Sequence, residues 1–281
     1  MTVALVDADI FSRRYTAAVE YELFTVDGPK GATEVRGKKN TATYMEENPG
    51  SQVVDSRKVV EPLGFVKHNI KAVIEDIAQD TKCDEMLFFL GCQNEPTFRH
   101  KLYSEYKHKR VNTPRPTHYQ AIYDWLKEEY RATSTHELEA DDVIAIHSGM
   151  PNDPIICSND KDMLQLPGKH YNFVNADLSQ RRRRVGKHEG DVHLFIQVLM
   201  GDSVDCIPGL KGVGFAKAQK IVAGCKDFRS LYEAARLAYK TRLGNDWKES
   251  FLLNGSLVFL LRSGGDTFEA YLERNGVKFY E

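Results

Sequence analysis

Glu137-Leu138-Glu139-Ala140-Asp141-Asp142-Val143-Ile144-Ala145-Ile146 is followed, after a short break, by Pro154-Ile155-Ile156-Cys157-Ser158 and then by Asn159-Asp160-Lys161-Asp162. The first run has the spacing of a helix start: Glu139 and Asp142, three apart, share a face, and Asp141 sits in the first turn, where the helix dipole favours anions. The second is a short apolar strand that delivers Asp160 and Asp162 at its carboxyl end. Acids at a helix start are by themselves ordinary capping groups. Two acidic clusters brought face to face are different, because their repulsion is tolerable only when cations sit between them. The stretch therefore reads as part of a metal site.

Working outward, residues 2–6 form an apolar strand ending at Asp7, and Asp9 opens a helix through Phe11 and Ala17. A carboxylate just past a buried first strand lies where open α/β sheets take their ligands. Phe65, Ile70, Val73, Ile74 and Ile77 recur at helical spacing over residues 63–81, and Glu85-Met-Leu-Phe-Phe-Leu90 is a buried strand. Three strand ends, after residues 6, 90 and 157, then converge, which predicts an α/β fold with a mostly parallel central sheet flanked by helices. Residues 21–60 read as a hairpin whose long, mobile loop, 28–51, carries Lys30, Arg36, Lys38 and Lys39 as a solvated surface.

After the strand ending at Leu90 come Phe98-Arg99 and Tyr106-Lys107-His108-Lys109-Arg110, cations interleaved with tyrosines, a pattern suited to phosphate contacts and stacking. Pro114 and Pro116 lead into a helix over 118–130. Residues 169–174 read as a strand. In the four arginines at 181–184, strand geometry would let only alternate side chains serve one phosphate track. A helix around 192–200 runs into Gly201-Asp202-Ser203-Val204-Asp205-Cys206-Ile207-Pro208-Gly209 and Leu210-Lys211-Gly212-Val213-Gly214, which opens a second helix carrying Lys217 and Lys220. Gly212 and Gly214 free backbone N–H groups there to meet a phosphate, with Lys211, Lys217 and Lys220 adding charge. No Gly-Lys-Ser/Thr follows, which excludes a nucleoside-triphosphate P-loop, and a helix-hairpin-helix that grips a DNA backbone fits better. Residues 227–262 read as further helices, and the C-terminal tail shows no chemistry.

With 281 residues, 42% apolar and 28% charged, the chain can bury a core for one large or two smaller domains. No signal peptide and no apolar run long enough for a bilayer is evident, which predicts a cytoplasmic protein without a membrane partner. Five scattered cysteines without a C-x-x-C pair predict reduced thiols rather than disulfides or structural zinc. The net charge of −2 does not exclude nucleic acid when acids and bases are segregated.

Val6-Asp7, Phe98-Arg99 with Tyr106-Lys107-x-x-Arg110, Leu138-Glu139-Ala140-Asp141-Asp142, Ser158-x-Asp160-x-Asp162 and Gly201-Asp202-x-x-Asp205-x-Ile207-Pro208-Gly209 with Gly212-Val213-Gly214 occur in this order. The ordered set resembles the 5′-nuclease superfamily of flap endonucleases and 5′→3′ exonucleases, particularly the bacteriophage exonucleases and the 5′-nuclease domain of bacterial DNA polymerase I. The resemblance implies a PIN-like catalytic domain over 1–185 with a short arch at about 107–132, and a helical, DNA-binding helix-hairpin-helix region over 186–281. It implies hydrolysis of DNA phosphodiesters near a 5′ end, nick or flap by two Mg²⁺ or Mn²⁺ ions, with a monovalent cation at the hairpin and a monomeric protein. Glu139, Asp141, Asp160 and Asp162 would lie nearest the metals, and Asp7, Asp142, Asp202 and Asp205 would complete the acidic ring. Lys107 and Arg110 would contact the scissile phosphate, while Arg99, Tyr106 and the hairpin residues would touch DNA. One departure stands out: Cys92 takes a position where the family presents an aspartate, and a thiol is a poor ligand for Mg²⁺. A PIN-like ribonuclease and a catalytically weakened DNA-binding paralogue are the rival expectations.

Overall fold

The computed structural model describes residues 1–29, 31–93, 96–110, 113–175 and 177–279. Lys30 of the expected basic loop, Asn94 and Glu95 beyond the strand ending at Leu90, and residues 111 and 112 of the expected arch lie outside them. The strands are β1 (Val3–Asp7), β2 (Glu20–Asp27), β3 (Thr33–Arg36), β4 (Gln52–Val60), β5 (Glu85–Leu90), β6 (Thr133–Ser134), β7 (Ile155–Cys157), β8 (Gly168–Tyr171) and β9 (Arg182–Val185).

The chain gathers into two compact units. The first comprises residues 1–8, 76–113 and 131–281. Its sheet has the order β6-β5-β1-β7-β8-β9, parallel throughout except for the β8–β9 pair. β1 is buried along its whole length, so both its faces are covered, as its unbroken apolar run requires. The chain leaves β1 for β5 and β6 on one side and returns to β7 on the other, which puts the topological switch point at the carboxyl ends of β1 and β7. Val3, Leu5, Phe89 and Ile156 pack on Val143 and Ile144 of the helix Ala140–Ser148.

The helices Lys187–Met200, Phe215–Val222, Phe228–Leu243, Trp247–Val258 and Phe268–Arg274 enclose a second core around Phe195, Leu231, Tyr239, Phe251 and Phe268. The boundary expected at 185/186 falls inside this first unit. The reason is polar as well as apolar. Arg99, only 2% exposed, donates through Nε to the carbonyl of Leu257 and through Nη2 to that of Phe259, both at 2.8 Å. Its two Nη atoms also grip the fully buried Asp142 at 2.6 and 2.8 Å.

The four arginines are each engaged with acids or a carbonyl of the chain itself. Arg181 pairs with Asp80, Arg183 with Glu189 and Arg184 with Asp153, and Arg182 donates to the Asp80 carbonyl. β9 is thereby tied to its neighbours by local acids that a reading of the run alone does not supply.

The second unit comprises residues 9–75 and 114–130. The expected hairpin is present as β2 and β4, but the loop between them holds a third strand, β3, and the helix Lys38–Glu47. Its described cations, Arg36, Lys38 and Lys39, are exposed as expected, with Arg36 over the Tyr21 ring and Lys38 near Glu22. The helix Tyr119–Glu129 from the expected arch buries Tyr119, Ile122, Tyr123, Trp125 and Leu126, the pattern of a packed amphipathic helix rather than a free span.

Replacing one partner of the Arg99–Asp142 pair leaves a buried, uncompensated charge. Arg99→Leu is therefore expected to cost roughly 3–5 kcal/mol of stability. Arg99→Leu combined with Asp142→Leu is expected to recover part of that loss, both read from urea unfolding midpoints.

Candidate active site

At the carboxyl ends of the sheet the Ser158-x-Asp160-x-Asp162 spacing folds into nested turns. Ser158 Oγ donates to Asp7 Oδ2 at 2.8 Å and accepts from the Asp160 N–H at 3.0 Å. Asp160 Oδ1 in turn accepts from the Asp162 N–H at 2.8 Å and caps the short 3₁₀ turn Lys161–Gln165. The ends of β1 and β7 are thus laced together through one hydroxyl. Cys92, two residues beyond β5, donates its N–H to the carbonyl of Leu138, beside Glu139. That brings the third strand end to the same rim.

Glu139 is the N-cap of the helix Ala140–Ser148, and Asp142 at its third position closes a capping box. Asp142 then has no role left for a cation. Oδ1 and Oδ2 both hold Arg99, and Oδ1 also accepts from the Leu261 N–H. It is removed from the expected metal set. Arg99 is likewise no DNA contact, because it is buried on Asp142 and two carbonyls. Nor does Tyr106 present a stacking face: it is 3% exposed, and its hydroxyl donates to Glu139 Oε2 at 2.8 Å. Each of these cationic or aromatic groups looked like surface because its partner lies more than 30 residues away in the chain.

Lys107 stands at the centre of the remaining charges. Its Nζ binds Glu139 Oε1 at 2.5 Å and Asp205 Oδ2 at 3.5 Å, and its backbone N–H donates to the Asp205 carbonyl at 2.9 Å. Its φ of 53° is a left-handed conformation that a non-glycine residue adopts at a cost, here held by bonds at both the backbone and the side chain. Arg110 pairs with Asp205 from the exposed side. Asp202 folds its own loop, Oδ1 accepting from the N–H groups of Val204 and Asp205. Gly201 and Gly209 close that loop against each other at φ 66° and 59°, where a Cβ on either would run into the other's backbone.

The electrostatics divide the acids in two. Burial would raise the Glu139 carboxyl, but Lys107 and Arg99 hold it at about 2. Burial, then the charges of Asp7, Asp160 and Glu139, push Asp141 well above the usual carboxylate range. Burial, then Asp160 and Asp202, push Asp162 up to about 7, and its Oδ1 is buried with no hydrogen-bond partner among the described residues. Burial also raises Asp205, against the pull of Lys107 and Arg110. Among the described residues no three acids, histidines or cysteines are gathered round one point. The ammonium of Lys107 draws Glu139 and Asp205 to itself instead. The donor set nonetheless fits a hard divalent cation: carboxylate oxygens, one of them orphaned, whose mutual repulsion a cation would relieve.

The hairpin runs from the end of the helix Lys187–Met200 to the start of Phe215–Val222. Lys211, Gly212, Gly214, Lys217 and Lys220 are all exposed on it, as the glycine-lysine pattern predicts, and Lys217 donates to the Gly212 carbonyl at 2.8 Å. Two residues near the acids were missed by sequence reasoning, Gln165 and Asn254, which are 1% and 2% exposed. The signal was available: each is an amide inside an apolar run, Met163-Leu-Gln165-Leu and Phe251-Leu-Leu-Asn254. No helix among the described residues is long and apolar enough to cross a membrane.

Asp162 binds its proton more tightly in the fold than in the unfolded chain, its carboxyl rising from 3.8 to about 7. Charging it therefore costs the fold stability as pH rises through that interval. In chelator, Asp162→Asn is expected to raise the melting temperature by a few degrees at pH 8 and to leave it unchanged at pH 4, a contrast that differential scanning calorimetry resolves.

The family described as 5′-3′ exonuclease, N-terminal resolvase-like domain matches residues 52–191. The flap endonuclease Xni of Shewanella frigidimarina is 33% identical over 158 residues, which span 50% of this chain and 60% of that protein. The 5′-3′ exonuclease of Buchnera aphidicola is 27% identical, over 61% of this chain and 64% of its own length. DNA polymerase I of Chloroflexus aurantiacus is 34% identical over 52% of this chain but only 18% of the polymerase. The chain thus matches less than two thirds of the length of these relatives. A T5 5′-exonuclease structure with divalent zinc superposes with a TM-score of 0.52 at 14% identity, covering 92% of this chain and 89% of the other, and so shares the fold. By its matched residues, its ordered acids and its mostly parallel sheet, the chain belongs to the 5′-nuclease superfamily.

Proposed function

We propose that the protein is a divalent-metal-dependent 5′→3′ exonuclease and flap endonuclease that hydrolyses DNA phosphodiesters near a 5′ end, nick or flap. One observation supports this reading: the charges of Asp7, Asp160 and Glu139 act on Asp141, those of Asp160, Asp202 and Asp205 act on Asp162, and Lys107 and Arg110 pair with Glu139 and Asp205 of the same group. Glu139, Asp141, Asp160 and Asp162 would hold two Mg²⁺ or Mn²⁺ ions, with Asp7, Asp202 and Asp205 in support. Such ions supply a nucleophile from water at neutral pH and offset charge on the leaving oxygen.

The chain's own residues supply the rest. Burial works against the charge of Lys107, but Glu139 and Asp205 keep its pKa above the ordinary value, so it enters the reaction as a cation. Lys107 and Arg110 would offset the charge on the non-bridging phosphate oxygens once Glu139 and Asp205 are drawn away from them to the cations. No nucleophilic side chain is required. The region 186–281 would grip the duplex through the exposed N–H groups of Gly212 and Gly214 and the charges of Lys211, Lys217 and Lys220, with a monovalent cation at the hairpin. The protein would act as a monomer in the cytoplasm.

The test is cleavage of labelled 5′-flap DNA, nicked duplex and single-stranded RNA with Mg²⁺ or Mn²⁺. Cleavage of the DNA substrates, abolished by chelator and lowered at least a hundredfold by Asp160→Ala, is the expected result. Equal activity of Asp160→Ala and the unchanged protein would sink the metal assignment, and preference for RNA would favour a PIN-like ribonuclease. No cleavage until Cys92→Asp is introduced would identify a weakened DNA-binding paralogue. Lys107→Ala is expected to lower kcat with little change in DNA affinity, because its contact strengthens in the transition state.

A further inference from the structure

Apart from Asp7 at the end of β1, the acids reach the site on three separate turns: residues 139–142, 158–165 and 201–209. None has a hydrophobic core of its own, and carboxylates crowded together push such turns apart. Residues 254–261, at the end of the helix Trp247–Val258 and just beyond it, touch all three. Asn254 Oδ1 accepts from the Gly209 N–H at 2.9 Å and so closes the loop of Asp202 and Asp205. The carbonyls of Leu257 and Phe259 bind Arg99, and the Leu261 N–H donates to Asp142 Oδ1, which anchors the turn of Glu139 and Asp141. Between them, the Val258 carbonyl and the Leu260 N–H hold the side chain of Gln165, both at 2.9 Å, at the end of the turn of Asp160 and Asp162.

The alternation is physical. As the helix gives way to extended backbone at Phe259, successive residues present their peptide groups to opposite sides, Arg99 on one and Gln165 on the other. One short stretch therefore sets the register of turns that are far apart in the chain, and it lies outside the residues that match the family.

We propose that residues 254–261 are a positioning element of the active site, with Asn254 and Gln165 as its two side-chain clamps, and that its hydrogen bonds tune the affinity of the acids for divalent cations. This rests on reading the acids as a cation site. Groups that orient metal-binding side chains from behind typically change metal affinity by about 10- to 100-fold when removed.

Asn254→Ala and Gln165→Ala each cut one clamp, while Asn254→Leu keeps the side chain's bulk and removes the oxygen that accepts from the Gly209 N–H. Mn²⁺ binding followed by electron paramagnetic resonance is expected to weaken about 10-fold in each alanine variant. Asn254→Leu is expected to match Asn254→Ala. Cleavage at limiting Mn²⁺ is expected to lose kcat without a change in KM for flap DNA, and to recover as Mn²⁺ is raised. Amide exchange over residues 202–209 is expected to quicken in Asn254→Ala alone of the two alanine variants, and either variant that folds carries the comparison. Unchanged Mn²⁺ affinity and unchanged exchange in the alanine variants would overturn the proposal, as would Asn254→Leu behaving like the unchanged protein, since packing alone would then explain the effect. If the unchanged protein binds no Mn²⁺ and cuts no DNA, the functional reading falls, while the exchange rates still decide whether the stretch holds its turns.

Discussion

The buried pair of Arg99 and Asp142 is the constraint on which the rest of the first unit depends. A guanidinium and a carboxylate taken out of water repel the fold unless every donor and acceptor is met. Here they are met by each other and by the Leu257 carbonyl, the Phe259 carbonyl and the Leu261 N–H. That requirement pins the helix Phe98–Leu102, the start of the helix Ala140–Ser148 and the stretch after Val258 to one another. An apolar contact would tolerate sliding. A bidentate ion pair with two carbonyls does not.

Part of the acidic set was legible in the chain because Asp7, Asp160 and Asp162 follow apolar strands, and a parallel sheet puts such ends on one edge. β1 and β5 were expected where they occur, and so were the helix Leu63–Thr81 and the exposed glycine-lysine hairpin. Which of two adjacent acids faces the site was not legible. Asp141 and Asp142 are alike in composition and share a helix start, and only the arrival of Arg99, 43 residues earlier in the chain, assigns Asp142 to the interior. The same blindness covers the arginines at 181–184, whose partners Asp80 and Asp153 come from other segments. Basic runs look like nucleic-acid surface when their acids are distant in sequence.

Residues 28–51 illustrate the opposite error. The stretch reads as a mobile loop because its polar residues hide a short alternation, Thr33-Glu-Val-Arg36, that pairs with β2. Gly37 at φ 80° then turns the chain into a helix of which only Thr41 is buried. Periodicity over four residues is too short to distinguish a strand from chance.

The segment 201–214 joins the two activities that the proposed function requires. Its first part, closed by Gly201 against Gly209, carries Asp205 to Lys107 and Asp202 to the side of Asp162, and its second part exposes Gly212 and Gly214 toward solvent. Leu210 fastens the junction, its N–H donating to the Leu199 carbonyl and its own carbonyl accepting from Val213. On the proposed function, a DNA backbone gripped at Gly212 and Gly214 would be held at a fixed number of residues from the acids, on a loop in which Gly201 and Gly209 admit no side chain at their closest approach. Such a loop can act as a ruler between grip and cut, because stiffness in the connection, rather than affinity at either end, determines how reproducibly one phosphate meets Lys107.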